Sequence, residues 1–214
     1  MILFLRILQV ILFLGAPFLL LIRGAVFLHT HYQANAWISI LGGSVLTILL
    51  VFVYLSFFRR KLTKRRSSAA GRKLRLVLAL VLVGGFALQG LMYISARNVK
   101  KASLQQEFRD LHPILRLSVS TIFIFDRMAI MTDAQRVPED YTRMGLGKKT
   151  NSLHYRQADG YVYAIDIRTR GRTDLHNHMT RLYFRMMGFN TLRHMGTADH
   201  LHVSLQDPSR PGVR

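Results

Sequence analysis

The sequence predicts an α+β fold, a small mixed-sheet domain preceded by three transmembrane helices. Three observations lead there. Half of the 214 residues are hydrophobic, and the excess lies before residue 95. All eleven acidic residues fall at or after Glu107, whereas the first 94 residues carry eleven Lys and Arg and no acid. Beyond residue 110, strand-like runs mix with a helical pattern over roughly 100 residues, the length of one compact α+β unit.

A helix that crosses a bilayer needs about 20 mostly apolar residues. Residues 5–28, 37–58 and 76–94 qualify. The first run is interrupted by Arg6 and Arg23, and the other two are uncharged. Trp37, Tyr54 and Tyr93 lie near span ends, where amphipathic rings favour the interface. The first run is long and has no small-x-small cleavage site after a short apolar core, so it reads as a span and not as a signal peptide. Residues 59–75 hold nine Lys and Arg: Arg59, Arg60, Lys61, Lys64, Arg65, Arg66, Arg72, Lys73 and Arg75. The positive-inside tendency puts that loop and the N-terminus in the cytoplasm and everything after Ile94 outside.

The formal charge of +19 is therefore not one basic patch. It splits into a basic membrane region and a remainder with 19 basic and 11 acidic residues, a net of +8. The basic loop is read as a topology signal, so the expected partner is the lipid bilayer and no nucleic acid is expected. Cysteine is absent, which excludes a thiol nucleophile, a thiolate metal site and disulfides. Serine chemistry, or a metal held by His and carboxylates, remains.

Residues 95–110 are polar and read as a juxtamembrane linker, leaving 111–214 as the domain. Pro113 suits the first turn of a helix through Phe125. Arg127–Thr132 reads as a strand and 133–151 as a loop rich in Gly, Pro, Asp and Lys. Tyr161–Ile167 has strong β character. Thr173 is placed to cap a helix ending at Met187, with Gly188 as its stop. Leu175, Met179, Leu182, Tyr183 and Met186 recur at helical spacing and are expected to pack into the core. Leu201–Gln206 alternates and reads as the last strand.

Two stretches carry chemistry. Ser152-Leu-His154 precedes the strand that contains Asp166, and Asp199-His200-Leu-His202 opens the last strand. Catalytic zinc takes three protein ligands and keeps a fourth position open. His154, Asp166 and His202 supply two imidazoles and one carboxylate for one Zn2+ per chain. Asp199 is the expected proton acceptor. Asp166 sits in an apolar strand, so its charge needs a partner, either a cation at the site or an arginine. His200 shares its face of the strand with His202 and either supports the metal ligands or borders the expected substrate. Asp159 competes with Asp166, but it lies in an Asp-Gly turn context where aspartate is common anyway. His176 and His178 fall two apart on a helix and point to different faces. His194 has no assigned role. Ser152 as a nucleophile lacks an elbow motif.

The ordered set Ser-x-His, Ala-x-Asp on a strand, then Asp-x-x-His resembles the zinc D-Ala-D-Ala carboxypeptidases, which belong with the hedgehog-like and penicillin-insensitive murein endopeptidase folds. The resemblance covers about residues 110–206. It implies a zinc peptidase domain with His154, Asp166 and His202 as ligands, Asp199 as acid/base and Ser152 holding substrate. It also implies Arg136, in Ile130-Met-Thr-Asp-Ala-Gln-Arg136, as an arginine that binds substrate or steadies the oxyanion. The implied substrates are peptidoglycan stem peptides, cleaved by a carboxypeptidase or endopeptidase on the bacterial inner membrane with its domain in the periplasm. Two departures stand out. The family spacing is His-x6-Asp, and removing Arg156–Gly160 restores it; Val162 stands where the family has Gly. A zinc-binding or wall-binding module without activity is the alternative.

Overall fold

The structure is a computed structural model of the chain, and it describes residues 2–62, 68–145, 147, 150–196 and 199–209. Three long helices come first: α1 (Ile2–Tyr32), α2 (Ala36–Leu62) and α3 (Ala69–Met92). Each contains a stretch long and apolar enough to cross a membrane, at Phe13–Tyr32, Ala36–Leu62 and Ala69–Met92. The expected basic loop is shorter than residues 59–75. Arg59–Lys61 complete the last turn of α2, and Arg72, Lys73 and Arg75 lie in the first turns of α3. Lys64, Arg65 and Arg66 lie outside the described residues.

Small residues bring α1 and α2 together. A Cβ on Gly24 would sit 3.5 Å from the Gly43 Cα, and one on Gly43 would run into the Leu21 carbonyl oxygen. Close crossings of this kind let backbones pack without a hydrophobic drive between helices. Thr47 donates to the Gly43 carbonyl at 2.8 Å and so hides its hydroxyl.

Short helices follow. The linker folds as a 3-10 turn at Ala96–Asn98 and as α4 (Ser103–Glu107). Helix α5 occupies Pro113–Phe125, as Pro113 predicts. Part of the expected 133–151 loop is helical, as α6 (Pro138–Arg143). Helix α7 (Asp174–Met187) has Thr173 as its N-cap, accepting from the His176 amide at 3.3 Å. Gly188 ends it in the left-handed region at φ 97°, where a side chain is disfavoured.

Four strands form one antiparallel sheet in the order β1-β2-β4-β3, from β1 (Met131–Asp133), β2 (Ala164–Arg168), β3 (Asn190–His194) and β4 (His200–Ser204). The expected mixed sheet is corrected by this: its parallel pairing is confined to isolated bridges, Val99 with Met131 and Leu111 with Val162. Arg127–Ala129 turn under Asp126, whose side chain accepts from the Met128 amide, so the strand expected there starts only at Met131. Strand β3 was not expected. Its alternation is weak, because Asn190, Thr191 and Arg193 are only partly buried and Leu192 and His194 are exposed.

Strands expose alternate residues to opposite faces. Ile165, Ile167, Leu201 and Val203 are fully or almost fully buried on the back face, in one core with Leu117, Val119, Phe184 and Met187 of α5 and α7. That core also contains Leu21, Ile22, Ala25 and Val26 of α1. The expected packing of α7 holds only at Tyr183, which lies against the core and donates to the Ser118 carbonyl at 2.8 Å, and it fails at the other four positions. Leu175, Met179, Leu182 and Met186 are exposed, and Asn177, Thr180, Phe184 and Met187 face inward. The polar members of that inner face are satisfied there: Asn177 donates to the Thr169 carbonyl at 3.1 Å, and Thr180 to the His176 carbonyl at 2.9 Å. Periodicity locates a stripe but does not say which stripe meets protein.

Two predictions follow from this packing. Gly43→Ala overpacks the α1–α2 crossing and should cost about 1–3 kcal/mol, read as a lower melting temperature in detergent. Gly84→Ala, with open space around the new Cβ, should cost nothing. His112 is fully buried and neither ring nitrogen has a hydrogen-bond partner. Burial first, then His29 and Arg116, hold its pKa well below the usual histidine value. The unfolded chain therefore takes up this proton first, so the stability contribution is complete above about pH 6.5 and is lost as pH falls below it. His112→Leu should flatten that acid limb of the melting curve.

Candidate metal centre

Three strands and one loop build the site on the front face of the sheet. Asp166 on β2 pairs in register with His202 on β4. Residues directly opposite across an antiparallel pair have Cβ atoms about 5 Å apart, so this register alone brings the two side chains together. His154 arrives on the loop before β2. That loop is tied to the core by the Tyr163 amide donating to Leu153 at 3.0 Å and the Arg136 amide donating to His154 at 2.9 Å.

The ligand atoms converge. His202 Nδ1 lies 3.0 Å from Asp166 Oδ1, His154 Nε2 lies 3.3 Å from the same oxygen, and the two nitrogens are 3.2 Å apart. Tetrahedral zinc with ligands at 2.0–2.2 Å places them about 3.4 Å from one another. His154 Nδ1 lies 2.6 Å from the Ala134 carbonyl, which can only accept, so that nitrogen carries a proton. In neutral His154 the Nε2 lone pair then faces the Asp166 carboxylate, acceptor against acceptor. A further proton or a bound cation resolves that opposition. A backbone carbonyl that fixes the tautomer is also the usual partner of a metal-binding histidine.

The second carboxylate oxygen is held separately. Arg136 Nη2 makes an ion pair with Asp166 Oδ2, and His200 Nε2 stands 3.6 Å from the same oxygen. Arg136 also donates through Nε to Asp133 at 2.7 Å and through Nη1 to the Tyr141 hydroxyl at 3.4 Å. A bulge in β1 sets Asp133 opposite Asp166 while Met131 pairs with Ile167, and bulges commonly re-aim a side chain in this way. Tyr141 continues the chain to Ser152 Oγ at 2.6 Å, and Ser152 accepts from the His154 amide at 3.2 Å.

Burial alone would raise the Asp166 carboxyl, but His154, then His202 and Arg136, hold it well below the usual carboxylate range. Burial lowers the His202 imidazole against the opposing pull of Asp166. An ionised carboxylate beside neutral imidazole is the ligand state a divalent metal needs. His154 and Asp166 are each 2% exposed, while the His202 and His200 side chains remain partly open. The centre is thus closed behind and accessible in front.

The structure brings His154, Asp166, His202, Arg136, Ser152 and His200 into one connected cluster. Arg136 and Ser152 act as supports in it: the guanidinium braces Asp166, and the hydroxyl braces the His154 loop. Asp199 lies elsewhere. Its carboxylate accepts from Thr169, just past the end of β2, at 2.6 Å and from Arg193, on the back face of β3, at 3.1 and 3.3 Å. Arg193, then Thr169, draw its pKa down, which makes it a weaker base. Asp159 is not in the cluster either: it accepts from Tyr161 N at 3.1 Å and Tyr163 OH at 2.9 Å. Residues 157–160 close as a tight turn, with the Gly160 amide donating to Gln157 at 2.9 Å and Gly160 at φ 85°. That turn leaves Asp166 in reach of both histidines.

His194 is the front-face residue that the sequence reading left without a role. It pairs with His200 across β3 and β4, their rings stacked at 4.8 Å, and its ring is 6.4 Å from that of His202. The alternation Asn190, Leu192, His194 was the available signal. His176, in contrast, binds the Thr173 cap at 2.7 Å. A cavity of about 570 Å³ lies away from the triad, between the α1–α2 turn (Gln33–Trp37) and Gln157–Tyr163.

Comparison with known proteins finds no matching family model, no matching curated protein and no matching solved structure. The chemistry therefore rests on the residues themselves. If the triad holds a metal, Arg136→Ala removes the Oδ2 partner and should weaken its binding about 10–100-fold, measured with Zn2+ as the probe by competition with a chromophoric chelator. Affinity in the unaltered protein should fall with pH only below the usual histidine range, because protons compete with the metal for the His202 imidazole and burial lowers that group's pKa.

Proposed function

We propose that this protein is a membrane-anchored zinc metallopeptidase that cleaves peptidoglycan stem peptides on the outer side of the bacterial cytoplasmic membrane. The observation that carries the reading is the convergence of His154 Nε2, Asp166 Oδ1 and His202 Nδ1 to 3.0–3.3 Å, with the other Asp166 oxygen already compensated by Arg136. Zinc bound there supplies a Lewis acid and an acidified water. The chain's own residues do the rest. His154 and His202 aim ring nitrogens at the centre, Asp166 contributes one negative charge, and Arg136 fixes the carboxylate's orientation.

The substrate class and bond type come from the resemblance in the ordered motif, supported by the anchor that would keep the site near the wall. The lysines and arginines of residues 59–75 support an N-terminus in the cytoplasm and a domain outside. For the proton acceptor, the front-face position of His200, 3.6 Å from Asp166 Oδ2, favours it over Asp199, which is engaged by Arg193. A zinc-binding or wall-binding module without turnover is the second reading, and the engagement of Asp199 is what favours it.

Full-length protein in nanodiscs should bind one zinc per chain and Asp166→Ala should bind none. Cleavage of purified muropeptides should be lost in His200→Ala and kept in Asp199→Ala, with zinc content unchanged in both. Zinc at full occupancy without turnover of any muropeptide selects the second reading, and absence of zinc ends the metallopeptidase proposal. A reporter fused after Arg214 should be active only outside the cytoplasm.

A further inference from the structure

We propose that the outer face of α7 and the end of α5 form a membrane seat, lying against the acyl chains of the same bilayer that α1, α2 and α3 enter. Leu175, Met179, Leu182 and Met186 follow the spacing i, i+4, i+7, i+11, which places them on one narrow stripe of α7. Leu175 is 70% exposed, and the least exposed of the four, Leu182, is still 42% exposed. Singly exposed apolar side chains are ordinary, but a contiguous row of large ones marks an interaction surface. The opposite side of the helix is accounted for, with Phe184 and Met187 in the core and Asn177 and Thr180 hydrogen-bonded. The stripe is therefore not a misplaced core face.

The occupant is indicated by what the stripe adjoins. Asp126, at the end of α5, is bound by Arg172 and Thr180 of the α7 region. Beside it Ile124, Phe125 and Met128 are all exposed. The Phe125 ring meets Phe18 of α1 edge-on at 5.7 Å, and Phe18 meets Phe86 of α3 at 4.9 Å. Phe18 and Phe86 both lie within span-forming segments. At its other end α7 stops against α1, where a Cβ on Gly188 would lie 2.9 Å from Val26 and would strike Arg23. The apolar surface thus runs from the spans onto α5 and α7, with exposed Arg127 and Arg185 at its margin. An amphipathic helix with an apolar stripe and flanking arginines suits the interface between acyl chains and headgroups. Leu201 and Val203 face α7, whereas His200 and His202 point the other way. The seat therefore turns the metal face away from the lipid.

The chain has no cysteine, so single-cysteine variants carry one nitroxide each. Full-length Leu175→Cys, Met179→Cys, Leu182→Cys and Met186→Cys in lipid nanodiscs are compared with Leu46→Cys, exposed on α2, and Thr142→Cys, exposed on α6. The expected result is a ratio of oxygen to nickel-chelate accessibility severalfold above that at Thr142 and close to that at Leu46, at all four α7 positions. Ratios matching Thr142 would place the stripe in water and overturn the seat. Labels closed to both reagents would mean that a protein, either a partner or a second copy, covers the stripe, and would overturn it equally. Because the readout is taken at α7 and needs no metal, it is independent of whether the centre is a peptidase.

Discussion

Everything at the front of this domain depends on how one buried carboxylate is compensated. An isolated charge at the Asp166 position would be untenable in a strand whose neighbours Ile165 and Ile167 are fully buried. The structure divides the burden. One oxygen meets the Arg136 guanidinium, and the other faces two imidazoles. Arg136 is in turn fixed by Asp133 and Tyr141, and Tyr141 by Ser152. The loop carrying His154 is thus held to the strand carrying Asp166 through a continuous polar network. Such networks specify a single arrangement when every member is satisfied. Within this network His154 Nε2 also approaches Asp166 Oδ1 at 3.3 Å, acceptor against acceptor, which is where a proton or a cation fits.

Behind the sheet the same economy of position applies to the apolar side. Alternation along β2 and β4 sends His202 and Asp166 forward, and Leu201, Val203, Ile165 and Ile167 back onto α5 and α7. That core does not stop at the domain. Leu21, Ile22, Ala25 and Val26 of α1 belong to it, so the first long helix is both a candidate span and a wall of the domain. Cutting the chain near residue 95 would expose those contacts, which is why the full chain is the proper object for zinc and turnover measurements.

Much of the site was legible because its signals are local. Two histidines and an aspartate beside β-rich runs announce themselves by residue type, and an apolar strand with one carboxylate demands a partner. Thr173 and Gly188 marked the ends of α7, and Pro113 the start of α5, because caps and proline act on their own backbone. The turn at 157–160 was readable from Asp-Gly. Strand β1 was misplaced because Asp126 instead forms a turn with its own side chain. His194 was hard to read because β3 has no buried face: Leu192 and His194 are exposed, and Thr191 and Arg193 only partly buried. Asp199 was assigned by motif order, whereas its direction depends on Arg193, a residue on a neighbouring strand.

The sequence by itself determined three apolar stretches of span length, their charge asymmetry, the start of α5, both ends of α7 and the residue types able to hold a metal. These follow from short-range rules: helix length against bilayer thickness, backbone capping, and the chemistry of His and Asp. Only the tertiary structure decided that Asp166 and not Asp159 meets the two histidines. It alone turned Asp199 toward Arg193, set Arg136 to brace a carboxylate, and placed the apolar stripe of α7 outward. Each of those outcomes depends on strand register and on which face another element covers, and neither is written in the spacing of residues along one segment.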